Sequence, residues 1–310
     1  MIHIKVPGFV KLGWMELKRF KMWILIFIAV LIIIYLGFGF YVAYGISHQA
    51  FPEKEVLASP KLISENYEDV SFQTKDGLTL KGWFFAGGDK VIILVHGITQ
   101  NRHDRNYYFV PLMRDLLAEN YSVLTFDMRA HGLSDGKATT YGRTEGNDVL
   151  ASVDFIKSRG YRSEKIAVVA NSFGAISTLM VGGNLDVAAL VLDSVPSDFR
   201  PVFVRRLWLE KHIPTFLTPF GLWLAKELYN LDLDEIKPIE KVKEIPETPI
   251  LFLHGEKDET FFVEDGKKVA QAHPGSNFVV FKDAPHIASY RTDPVLWKSE
   301  VFSFLRSLVP

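Results

Sequence analysis

A chain of 310 residues is long enough to bury one large α/β core with attachments to spare. With 35 basic against 36 acidic residues it has no electrostatic excess to offer a polyanion, which argues against nucleic-acid binding. The absence of cysteine removes disulfides, thiolate nucleophiles and thiolate metal sites, and it suits an oxidising compartment.

The first informative element is residues 22–46, "MWILIFIAVLIIIYLGFGFYVAYGI", without a single charge. At about 1.5 Å per residue such a helix exceeds the roughly 30 Å hydrocarbon core of a bilayer, and buried helices of soluble proteins rarely carry so long an uninterrupted run. Ala43 and Gly45 make a small-x-small pair like a signal-peptide cleavage site. The run, however, far outlasts the usual apolar region of about 7 to 15 residues, so an uncleaved anchor is expected. Lys5, Lys11, Lys18, Arg19 and Lys21 precede it against one Glu16, while Lys54 and Lys61 follow, so the positive-inside rule puts the N-terminus in the cytoplasm and the remainder outside. The reading is therefore a cytoplasmic segment 1–21, a membrane span 22–46, a polar, Pro-punctuated tether 47–66, and a domain over 67–310. On this division a chain beginning near Ala50 should be soluble and active.

"VSFQTKDGLTLKGWFF" alternates apolar residues on both sides of Lys75-Asp76-Gly77, which predicts a hairpin. Beyond it, short apolar runs alternate with amphipathic stretches. "VIILVHG" precedes a helix over 108–118, "SVLTFD" one over 146–157, and "KIAVVA" one over 173–181; "ALVLDS", "PILFLHG" and "NFVVF" follow, with a closing helical pattern at Leu296, Val301, Phe304, Leu305 and Leu308. Runs this apolar suit parallel strands buried on both faces, with helices as crossovers. One interval, about 197–245, is too long for an ordinary crossover and is rich in aromatics, so a helical cap insertion is expected there.

In "AVVANSFGAIS" an apolar β-branched run passes through Ser172 into a helical pattern, with the small residues Ala170 and Gly174 on either side. A helix N-cap would explain the serine. A sharp strand-to-helix turn would also put its hydroxyl at the carboxyl edge of a parallel sheet, where open α/β folds place their sites. A serine hydroxyl needs a base, and the base needs a carboxylate to hold its tautomer. Downstream, "LFLHGEKDE" puts Asp258 just after one apolar run and "FVVFKDAPHIASY" puts His286 just after the next.

From "ANSFG" onward the chain resembles the α/β-hydrolase superfamily, whose nucleophile motif is G-x-S-x-G; Ala170 stands where the first Gly would be. The closest likeness is to its lipase, esterase and serine-aminopeptidase-like branch, which includes membrane-anchored members. The resemblance covers roughly residues 67–309. It implies an α/β-hydrolase fold, a mostly parallel central sheet flanked by helices, here with the cap and one preceding transmembrane helix. It also implies Ser172, Asp258 and His286 as catalytic residues in that family's order, and the backbone N–H groups of Ile98, in "ILVHGITQ", and of Phe173 as oxyanion donors. "FDMRAHGLSDG" resembles the family's D-x-R-G-x-G-x-S stretch with Ala130 for Gly, and Asp127 and Arg129 are expected to pair with backbone or with each other. Asp193 of "LVLDS" is the rival acid, since some relatives carry theirs after the earlier strand.

His96 and His254, each in an "HG" dipeptide, are read as loop organisers, and the spacing of His96, His103 and His131 gives no shared helical face for a metal. No metal and no cofactor are expected. Phe199, Phe203, Trp208, Phe220 and Trp223 are the expected lining of an acyl pocket, with packing of the cap as the alternative. The expectation is a serine hydrolase of lipophilic acyl esters, held to the membrane by its N-terminal helix, with a small-molecule or lipid substrate and no nucleic acid. A serine aminopeptidase-like peptidase and a slow-turnover ligand-binding receptor on the same scaffold are the alternatives.

Overall fold

The apolar runs become the strands of one eight-stranded sheet. In the computed structural model, which describes residues 9–47, 59–103 and 109–308, the elements in chain order are α1 (Phe9–Ser47), β1 (Tyr67–Gln73), β2 (Thr79–Phe85), β3 (Lys90–Val95), α2 (Phe109–Ala118), β4 (Tyr121–Phe126), α3 (Gly146–Ser158), β5 (Ile166–Asn171) and α4 (Ser172–Met180). There follow β6 (Ala189–Asp193), α5 (Phe199–Lys211), α6 (Thr218–Tyr229), α7 (Pro238–Lys241), β7 (Ile250–Gly255), α8 (Val263–Gln271), β8 (Asn277–Phe281), α9 (Ser289–Thr292) and α10 (Pro294–Leu308). Residues 1–8 of the expected cytoplasmic segment, 48–58 of the tether and Tyr108 lie outside the described residues.

The strand order is β1-β2-β4-β3-β5-β6-β7-β8, and β2 alone runs against the rest. The hairpin forms as its sequence predicts: Thr74 N–H donates to Leu78 O at 2.9 Å, and Gly77 turns the chain at φ +85°, a conformation that costs a side chain energy and glycine little. Alternation decides the layers. In β3, Val91, Ile93 and Val95 face the core built with α3, α4 and α8, while Ile92 and Leu94 face the core built with α2 and α10. In β7, Ile250 and Phe252 divide from Leu251 and Leu253 in the same way. Each such side chain contributes about 1.5–3 kcal/mol on leaving water, which is why runs apolar on both faces end in the middle of the sheet.

α1 starts well before the charge-free run and carries Lys18, Arg19 and Lys21 on the same helix, because nothing in "LKRFKMW" breaks it. From Glu16 to Ser47 it is long and apolar enough to cross a membrane. Its last turns are not free of the domain. Val42, Ala43 and Ile46 are buried among cap residues, and α6 runs alongside α1, so close that a Cβ at Gly39 would collide with the Phe220 ring and one at Gly221 would lie 2.8 Å from Val42 Cγ1. A chain beginning near Ala50 would lose this packing and bare the apolar cap surface around Phe220 and Gly221 that the end of α1 covers.

Candidate active site

Ser172 begins α4 directly at the end of β5, and its φ of +46° is a left-handed conformation that non-glycine residues seldom hold. The turn is tight because α4 must pass the ends of β3 and β5 at once: a Cβ on Gly174 would lie 2.6 Å from the carbonyl oxygens of Val95 and His96. Ala170 still lies within β5, paired in register with Val95, so its methyl is accommodated in the strand ahead of the turn. Asp258 follows β7 and His286 follows β8, which brings both to the same sheet edge as Ser172. The three form a hydrogen-bonded chain: His286 Nε2 is 2.9 Å from Ser172 Oγ, and His286 Nδ1 is 2.8 Å from Asp258 Oδ2.

Asp258 is buried, which raises the affinity of a carboxylate for protons. The hydrogen bond and charge of His286, with the Phe261 N–H donating to Oδ1 at 2.8 Å, outweigh that cost and hold the carboxyl below its usual range. Thr260 N–H donates to the same oxygen at 2.9 Å, so Oδ1 is held by backbone while Oδ2 faces the imidazole. His254 lies 3.4 Å from Asp258 and is kept neutral chiefly by burial; its Nε2–H donates to Phe261 O at 2.9 Å, a loop-organising role. Asp193, at the end of β6, touches neither His286 nor Ser172. Burial pushes its pKa up to about 7.

The sequence profile of the alpha/beta hydrolase family matches residues 92–297. The chain belongs to the alpha/beta hydrolase family. It is similar to an uncharacterized protein of Bacillus subtilis, YqkD, at 27% identity over 75% of this chain and 77% of that protein. It is also similar to the alpha/beta hydrolase domain-containing protein WAV2 of Arabidopsis thaliana, at 26% identity over 89% of this chain and 95% of that protein. Among solved structures, an esterase of Pyrococcus furiosus, Pf2001, superposes with a TM-score of 0.70 at 29% identity, over 84% of this chain and all of that one.

Around the site of this alpha/beta hydrolase, histidines serve as backbone clamps. Burial lowers the His96 pKa to about 3; its Nδ1–H donates to Gly97 O at 2.7 Å and its Nε2 accepts from Met128 N–H at 3.0 Å. His131 Nδ1–H donates to Arg129 O at 2.8 Å and its Nε2 accepts from Thr99 N–H at 3.3 Å. With Gly97 N–H donating to Gln100 Oε1 at 2.6 Å, the loop after β3 is fixed on both sides of Ile98. The N–H groups of Ile98 and Phe173 have no hydrogen-bond acceptor among the described residues. Asp127 and Arg129 do not pair with each other. Asp127 accepts from Arg102 Nη2 at 2.6 Å and from Leu133 N–H at 2.8 Å, and Arg129 bridges Asp148 and Asp76.

Ser172, Ile98 and Phe173 open onto a cavity of about 570 Å³, within the range of ligand pockets. Of the five aromatics expected to line it, Phe199 and Phe203 do so. Trp208, Phe220 and Trp223 do not, and helical geometry gives the reason. Trp208 is nine residues beyond Phe199, roughly half a turn out of phase at about 100° per residue, and is 48% exposed. Phe220 points at Gly39 of α1, and Trp223 stacks on Phe220 at 5.7 Å, 53% exposed. Sequence reasoning missed three contributors. Phe261 packs edge-on against His286 with ring centres 4.8 Å apart, Tyr141 lies against Phe199 and Phe203, and the end of α1 borders the cavity from Phe38 to Ile46. No periodicity marks Tyr141; its loop is held by Glu145, which accepts from Thr140 N–H and Gly142 N–H at 2.7 and 2.9 Å.

Proposed function

We propose that the protein is a serine hydrolase of lipophilic carboxylic esters. The observation that carries the reading is the hydrogen-bonded chain Asp258–His286–Ser172, whose serine opens onto a mostly apolar cavity. Ser172 Oγ attacks the acyl carbonyl carbon while His286 Nε2 takes its proton. The ester C–O bond breaks as His286 returns that proton to the leaving alcohol oxygen. Water then attacks the acyl-enzyme, His286 takes one of its protons, and the carboxylic acid leaves as Ser172 Oγ is reprotonated. Asp258 holds Nδ1–H and favours the imidazolium, and the N–H groups of Ile98 and Phe173 stabilise the developing oxyanion.

An ester is favoured over an N-terminal peptide because a substrate ammonium would call for free carboxylates. Among the described residues the cavity offers Glu210, already bound by Arg206 Nε at 2.7 Å. With Lys18, Arg19 and Lys21 before the span, the catalytic domain faces outward. Protease added to intact spheroplasts should digest it, and protection would reverse the orientation. A fluorophosphonate should label the protein once, and Ser172→Ala should abolish the label and lower kcat by a thousandfold or more, on the order of 10⁶ for a complete loss of nucleophile. Labelling that survives the substitution would remove Ser172 from the reaction.

A further inference from the structure

The outer end of α1 is more than an attachment. Phe38, Tyr41, Val42 and Gly45 all border the cavity that opens on Ser172, and their spacing of three, four and seven residues is one stripe of an α-helix. The adjoining side, at Gly39 and Ile46, is packed against the cap, with Val42 on the border between the two. The catalytic domain also grips the helix end directly: Tyr141 Oη donates at 3.0 Å to the carbonyl of Ile46, one of the four a helix leaves unpaired at its C-terminus.

The height of this wall in a bilayer can be counted. Lys21 is the last charged residue before the span, and the twenty residues from 22 to 41 rise about 30 Å, the thickness of the hydrocarbon core. The stretch from Phe38 to Ile46 thus reaches the boundary between acyl chains and headgroups. Tyr41 and Tyr44 there match the interfacial preference of tyrosine. The cap beside it exposes Trp208, Leu209, Phe216 and Trp223, an apolar surface suited to the same lipid. Arg206, Glu210 and Lys211 supply the charged residues of the cavity wall.

From this geometry we propose that the anchor helix is a wall of the acyl pocket, and that the substrate is a long single-chain ester taken from the leaflet that α1 enters at its outer end. The proposal rests on Ser172 being the nucleophile. The acyl chain lies between α5 and the Phe38–Gly45 stripe, and the ester reaches Ser172 from the headgroup level.

The test uses the full-length chain in phosphatidylcholine vesicles. Because the protein has no cysteine, Gly45→Cys introduces a single thiol, at a position where an added Cβ meets nothing within 4 Å. A hexadecyl fluorophosphonate bound at Ser172 should slow maleimide labelling of that thiol at least tenfold, whereas an ethyl fluorophosphonate on the same serine should leave it reactive. Equal reactivity after both reagents overturns the proposal while leaving the hydrolase reading intact. Failure of both reagents to modify Ser172 sinks the hydrolase reading and the proposal with it. In kinetics, Gly45→Trp should lower the ratio of dodecanoyl to acetyl ester turnover at least tenfold. Gly37→Trp, equally open around its Cβ but away from the cavity, should keep the wild-type ratio. A ratio unchanged in Gly45→Trp, or lowered equally in Gly37→Trp, overturns the proposal.

Discussion

The sheet edge and the cap are built on different supports, and on the proposed function that difference separates chemistry from substrate choice. At the edge, Ser172 and Asp258 each follow a strand buried along its whole length, His286 follows the edge strand β8, and each is tied by backbone: the β5 turn, the Thr260 and Phe261 N–H groups, and Ile287 N–H donating to Ser194 Oγ at 3.1 Å. In the cap, α5 and α6 bury one side against α1 and the mouth of the site, and leave Trp208, Leu209, Trp223 and Leu228 exposed. The edge holds its geometry through the domain's own sheet. The cap holds its geometry through a helix that begins outside the domain. Changes at the edge should therefore act on kcat at every chain length, and changes between α1 and α6 should act on long substrates and stability first.

Among changes that leave the nucleophile in place, the largest effect is expected from Asp258→Asn, which should lower kcat by roughly 10⁴-fold because the amide no longer selects the imidazole tautomer that accepts from Ser172. Asp193→Asn is the paired control. Its carboxylate makes no contact with His286, so turnover of a folded variant should stay within a few-fold of wild type. Steady-state kinetics on both variants would break the division if Asp193→Asn cost more.

Next is the α1–α6 contact. Gly39→Leu drives a side chain into the Phe220 ring, and overpacking of this kind costs about 1–3 kcal/mol. The expected readout is a lower Tm in vesicles and a loss of long-chain turnover, with fluorophosphonate labelling of Ser172 retained. Loss of labelling in step with long-chain turnover would mean that the edge depends on the cap after all.

A further effect, on stability alone, concerns pH. The Asp193 carboxyl titrates near 3.8 when unfolded and, pushed up by burial, near 7 when folded. Between these values the folded chain retains a proton that the unfolded chain has lost, so this group makes stability fall as pH rises from about 4 to about 7, and the deficit persists above 7. Asp193→Asn removes the deficit. Its Tm should exceed that of wild type at pH 8, and the two should converge near pH 4; a constant gap across that range would show that burial of Asp193 is not what sets it.

The strands were legible because a residue needs only its immediate neighbours to show that both faces are apolar, and β3, β5 and β7 are such runs. The order Ser172, Asp258, His286 was legible for a related reason: each follows a strand, and parallel strands bring their carboxyl ends to one edge. Which aromatics border the cavity was not legible, since that depends on the rotation of α5 and α6 about their axes, set by what they pack against. Phe203 turns inward and Trp208 outward on the same helix, and Phe220 is claimed by Gly39, about 180 residues earlier in the chain. The apolarity of residues 22–46 determined by itself that this segment is suited to lipid. Only the tertiary structure decided that its last turns also meet the cavity of Ser172, because a hydrophobic run carries the same signal whether its neighbour is an acyl chain or the cap.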